Sequence, residues 1–144
     1  MILIQDKILS GERPLYGSSN LRLDRVTIGD GESGLKECRH IEAHDCEIQG
    51  MYVFWECEDV ECRNCHFTSD DRAPLWYGKN IRMHDCIMDA PKVFRELDGL
   101  TLENIQISDG AEAFWYCKNG HLSDLTMQRA EYAFMQSSKL QINN

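Results

Sequence analysis

Five residues spaced about twenty apart carry most of the chemistry this chain could perform: Lys36, Trp55, Trp76, Arg95 and Trp115. Tyr16 precedes them and Met135 follows at the same interval. Indole faces are apolar and stack on the C–H-rich faces of sugar rings, and Lys or Arg can hold a carboxylate or sulfate beside them. Aligned on one surface, the five would form a stripe suited to an acidic oligosaccharide. The competing reading is packing: Trp rings lying flat over neighbouring backbone, with the Lys and Arg stems alongside.

The adjoining positions hold Glu37, Glu56, Tyr77, Glu96 and Tyr116, so two catalytic schemes are open. Glu37 with Glu56 would be a carboxylate pair for glycoside hydrolysis; Lys36 with Arg95 would be a base and a charge stabiliser for elimination from a uronic acid. Three function classes follow. The first is a carbohydrate-interacting protein, the second a polysaccharide lyase or glycoside hydrolase, and the third a structural or oligomerisation module without a small ligand.

What must position these residues is a repeat. A pattern of polar, apolar, any, apolar, any, Asp or Asn, apolar reads Asp59-Val60-Glu61-Cys62-Arg63-Asn64-Cys65, then Asn80 to Cys86, then Gly99 to Ile105. Weaker copies start at 20, 40 and 119, and a last one starts at 139. Units of this length cannot bury their apolar residues alone and must stack as coils. Within each unit the apolar residues alternate, as in Leu21 and Leu23, then Val26 and Ile28. Period two means strand, and the three-residue step across a polar residue means a bend. No unit has room for a helix, which sets aside helical and leucine-rich repeats.

The expected fold is therefore all-β: a single right-handed parallel β-helix over residues 1–144, of about seven coils of roughly 20 residues and about 34 Å long. Leu15, Leu35, Phe54, Leu75, Phe94, Phe114 and Phe134 form an inward column. The Trp, Lys and Arg column lies one residue later and faces out, since a core would not accept Lys36 and Arg95 without paired carboxylates. Arg25, Asp45, Asn64, Asp85, Asn104 and Asp124 mark the bend, where their side chains are expected to bond backbone.

Seven cysteines invite a metal or disulfide reading. Cys46, Cys65 and Cys86 share a repeat position with Val26 and Ile105, while Cys38, Cys57 and Cys117 share one with Leu97, so cysteine serves here as a small core residue. Cys62-x-x-Cys65 with His66 lacks a second ligand pair, and no metal or cofactor is expected. His44 and His84 share a variable position with Asp24, Arg63 and Glu103 and are read as solvated. The net charge of -9 opposes nucleic-acid binding. No stretch reaches membrane-spanning length or resembles a signal peptide, so the location expected is the cytoplasm.

The segments Gly11-Glu12-Arg13-Pro14-Leu15-Tyr16, Gly31 to Cys38 and Ala90-Pro91-Lys92-Val93-Phe94-Arg95 resemble conserved stretches of an uncharacterised bacterial family of pectin-lyase-like β-helix proteins, a domain-of-unknown-function family. The resemblance spans the chain and implies the fold and little else. The active-site signatures of β-helix enzymes are missing: no Gly-His-Gly, no second Asp after Gly29-Asp30-Gly31, and no Arg-x-Pro-x-x-Arg. The last coil, ending Leu140-Gln141-Ile142-Asn143-Asn144, carries no helix, Pro or charge cluster to close it. Two expectations follow: a longer solenoid of which this is the first part, or a homo-oligomer joined through the open C-terminal end.

Overall fold

The computed structural model describes residues 1–144 and contains strands, turns and no helix. Twelve strands follow one another: β1 (Ile2–Gln5), β2 (Ile8–Glu12), β3 (Ser19–Asp24), β4 (Thr27–Glu32), β5 (Arg39–His44), β6 (Glu47–Ile48), β7 (Glu58–Arg63), β8 (His66–Phe67), β9 (Lys79–Met88), β10 (Asp98–Ile107), β11 (Lys118–Met127) and β12 (Ser138–Asn143). Each pairs in parallel with the strand one repeat away. On one side Leu21, Ile41, Val60, Ile81 and Leu100 stand in register. On the next side Leu9, Ile28, Ile48, Phe67, Met88 and Ile107 do. The chain is thus a parallel β-solenoid of about seven turns, with the pairing at the repeat interval read from sequence.

The interior is a set of axial columns. Leu35, Phe54, Leu75, Phe94 and Phe114 are all 1% exposed or less, as expected of the inward column, while Leu15 and Phe134 at the same position are half-buried and pack against this core. Phe94 and Phe114 stack with centroids 4.8 Å apart and planes 12° from parallel. All seven cysteines are buried and unpaired. Their thiols donate to backbone carbonyls, Cys57 to Leu35 at 2.8 Å and Cys65 to Ala43 at 3.3 Å. Burial pushes the Cys117 thiol up to about 11, so that thiol stays protonated and packs as a core atom.

Two kinds of corner turn the chain. At the bend between the first two sides, Asp6, Arg25, Asp45, Asn64, Asp85, Asn104 and Asp124 all have φ between 51° and 56°. This is the left-handed region that Asn and Asp tolerate best. Their side chains bond one another rather than the backbone expected: Asn64 Nδ2 donates to Asp45 Oδ1 at 2.6 Å, Asn104 to Asp85 at 2.8 Å, and Arg25 Nε to Asp6 at 2.7 Å. Residues in the left-handed conformation at a corner splay toward solvent, so neighbouring coils are their nearest partners.

The third side is not a regular strand. Tyr52, Phe54 and Glu56 have φ of 60°, 61° and 57°, and Lys92, Phe94 and Glu96 repeat the pattern two coils on. The alternation aims successive N–H groups in opposite axial directions: Phe54 N–H bonds back to Gly34, while Glu56 N–H bonds forward to Trp76. Placing bulky residues here costs about 1–2 kcal/mol each, offset by full burial of each ring, worth a similar or larger amount. Between each buried Phe or Leu and the next left-handed residue lies one outward position, and there the Trp, Lys and Arg column sits.

Candidate functional site

Lys36, Trp55, Trp76, Arg95 and Trp115 occupy this outward position on five consecutive coils, each half-buried. Trp76, Arg95 and Trp115 are tied by successive backbone bridges, so the side chains form one axial row. Coil spacing of about 4.8 Å falls within the centroid separations of about 4.5–7 Å that aromatic pairs prefer, and the row from Trp55 to Trp115 closes into a continuous stack. The rings of Trp55 and Trp76 lie 5.0 Å apart, 7° from parallel. The Arg95 guanidinium fills the next layer, its Cζ 4.1 Å from the Trp76 ring and 4.4 Å from the Trp115 ring, a cation–π sandwich.

Each indole N–H is also fixed. Trp55 Nε1 donates to Ala73 O at 2.6 Å, Trp76 Nε1 to Lys92 O at 2.7 Å, and Trp115 Nε1 to Tyr132 O at 2.7 Å. These bonds set the rings side-on to the coil, so the stack shows its edges outward and most of its faces inward on itself. Open faces remain at the ends. Trp115 borders a hollow of about 650 Å³ lined with Tyr132, Met135, Arg129 and Glu131. Toward the other end Trp55 meets Tyr52 at 5.2 Å, and Lys36 follows.

Electrostatically the row is unusual for so acidic a chain. Neither Lys36 nor Arg95 joins any ion pair in the molecule, and Arg95 Nε is buried with no hydrogen-bond partner. Two uncompensated cations thus stand in one aromatic row, three coils and about 14 Å apart. At that separation they cannot serve as base and charge stabiliser on a single sugar ring.

Glu37 and Glu56 lie on adjacent coils, both exposed. Glu37 accepts the Tyr16 hydroxyl, and that bond raises the Tyr16 phenol above its ordinary range. Adjacent-coil spacing is near the carboxylate separation of retaining glycosidases. The surface around the pair is open, however, and none of the molecule's hollows includes either residue. Catalytic carboxylates work in enclosed, water-poor sites.

Sequence reasoning placed the row and named Tyr77 beside it, but missed Tyr52 and the packing of both rings on the indoles. Tyr52 lies three residues before Trp55 in its own coil, and Tyr77 sets its ring edge-on to both Trp55 (5.4 Å) and Trp76 (5.8 Å). The signal was an aromatic residue at a neighbouring repeat position, readable only once the side on which each position projects is known. Cys62 and Cys65 lie inside the core while His66 turns outward to Asp89 at 2.7 Å, so those three do not converge. His44, read as solvated, is half-buried, and its Nε2 is inaccessible and unpartnered.

A family model described as "Protein of unknown function (DUF3737)" matches residues 2–144, and the chain belongs to that family. A comparison with curated proteins finds no match.

Proposed function

We propose that this DUF3737 protein binds an acidic oligosaccharide along the row Lys36, Trp55, Trp76, Arg95 and Trp115, without catalysing its cleavage. The observation that carries the reading is Arg95 held between two indoles, with Lys36 on the same row and neither cation in an ion pair. A polyuronate or sulfated chain laid along the coil axis would bring anionic groups to Lys36 and Arg95 at intervals of its own repeat. Sugar faces would meet Trp115 in its hollow and Tyr52 beside Trp55. Kinship with pectin-lyase-like β-helices, argued from the resembling segments, belongs to the same proposal, as do a cytoplasmic location and self-association.

The open surface around Glu37 and Glu56 is what favours binding over hydrolysis or elimination. A second reading, a structural module, draws on the closed indole faces and on the N–H bonds that tie each ring to the next coil. Calorimetric titration with oligogalacturonate and with a neutral oligosaccharide of equal length separates them. Saturable binding of the acidic ligand alone, weakened at least about tenfold by Lys36→Gln or Arg95→Gln, is the expected result. Absence of binding to any acidic glycan favours the structural module.

A further inference from the structure

The first side of the solenoid carries a cluster on its outer surface in which Glu42 and His44 are left without partners. Glu42 and His44 project from β5 and Glu61 from β7, with Glu42 directly opposite Glu61. Like charges facing each other across neighbouring strands are destabilising unless a cation intervenes, and the nearby arginines serve Glu61 and other carboxylates rather than Glu42. Arg22 turns to Asp24 at 2.7 Å, and Arg82 reaches Asp59 at 2.7 Å but Glu61 only at 3.5 Å. Arg63 holds Glu61 Oε1 at 2.6 Å, and the contact from Arg82 is to Oε2, so both Glu61 oxygens have a partner. Glu42 receives no ion pair at all. Beside it, His44 Nε2 is sealed from solvent with no hydrogen-bond partner, a costly state for a ring nitrogen.

We propose that Glu42, His44 and Glu61 are the protein ligands of a divalent first-row cation of the Zn²⁺ type. One ligand atom from each lies within 4.8 Å of the others. Bonds of about 2.0–2.2 Å to nitrogen and oxygen need them closer, a movement that Glu42 makes by changing rotamer and Glu61 by giving up its 3.5 Å contact with Arg82. The cation would neutralise the opposed carboxylates and satisfy the imidazole, and water would complete its coordination. Imidazole with two carboxylates suits Zn²⁺, Co²⁺ or Mn²⁺. Seen from sequence, the three residues sit at two different repeat positions, so no column pattern marks them.

The test uses Co²⁺ as the probe on the full chain with its thiols reduced. A single saturable equivalent with visible d–d absorption, displaced by Zn²⁺, is expected, and no near-ultraviolet thiolate band should accompany it. His44→Ala and Glu42→Gln should each weaken binding at least about tenfold, while His84→Ala, on the same column two coils on, should bind as wild type. Glu42→Gln should also raise the melting temperature of the metal-free protein, because it removes the opposed charge, and abolish the further rise that Zn²⁺ gives. The proposal is overturned by a lack of saturable binding, by wild-type affinity in both variants, or by a spectrum dominated by cysteine thiolate.

Discussion

The two outward surfaces of the solenoid manage charge in opposite ways. On the strand side, alternating residues place Arg and Asp or Glu on neighbouring coils, and they neutralise each other where they stand, as in Arg82 with Asp59 and Glu61. On the turn side the repeat position is aromatic, Lys36 and Arg95 find no carboxylate, and Arg95 is held by two indole faces instead. A regular strand offers each side chain cross-strand neighbours on both adjacent coils, so complementary charges are easily met. On the left-handed turn side flat groups stack along one row, and Arg95 within the row is held by π faces. The strand side therefore pairs most of its charges, whereas on the turn side Lys36 and Arg95 stay unpaired although Glu37, Glu56 and Glu96 stand exposed on the adjoining column.

The largest effect is expected beneath the aromatic row. Phe94→Ala removes a fully buried ring stacked on Phe114 and should cost about 3–5 kcal/mol in urea unfolding, loosening the turn side before the strand side. A loss under 1 kcal/mol would show that the row is not anchored by the core below it.

Next comes the charge turned inward on this same side. Asp71 is 1% exposed where other coils place Gly50, Ala90 and Gly110, and its Oδ2 has no partner. Burial raises its carboxyl well above the ordinary carboxylate range. The native state therefore binds this proton more tightly than the unfolded chain, so stability is full below about pH 4 and falls as pH rises from there toward the raised value. Asp71→Asn should be more stable than wild type at pH 7 by about 1–3 kcal/mol and equal to it near pH 4. Equal stability at both pH values would mean that the carboxylate is hydrated.

A double-mutant cycle on Trp76 and Arg95 should return a coupling of about 0.5–2 kcal/mol, only weakly affected by salt because the guanidinium lies between rings. The matching cycle on Asp59 and Arg82 should return less than about 1 kcal/mol and shrink as salt is added. Equal salt dependence in the two cycles would erase the contrast between the sides.

The repeat interval and the period-two alternation were enough to read the stacked coils, the inward Phe column and the cysteines as core, because each follows from what a strand buries. The outward row was legible for the same reason, since Lys36 and Arg95 could not lie inside. Ring orientation was not, because it depends on indole N–H groups meeting carbonyls sixteen to eighteen residues onward. The left-handed corners were visible as an Asn and Asp column, yet the side-chain bonding between coils follows from backbone geometry. Glu42, His44 and Glu61 converge across positions two apart on one strand and one coil apart on the next, a diagonal that a column-by-column reading passes over.

The contrast between the sides can be read in one nuclear magnetic resonance titration of oligogalacturonate into the labelled protein. Each of the three tryptophans contributes one indole N–H signal. Binding on the turn side predicts that all three signals shift with saturation, together with amides of Lys36 and Arg95, while amides of β5 and β7 stay in place. Unmoved indole signals at saturating ligand, or shifts confined to the strand side, would contradict the account and leave the aromatic row as packing.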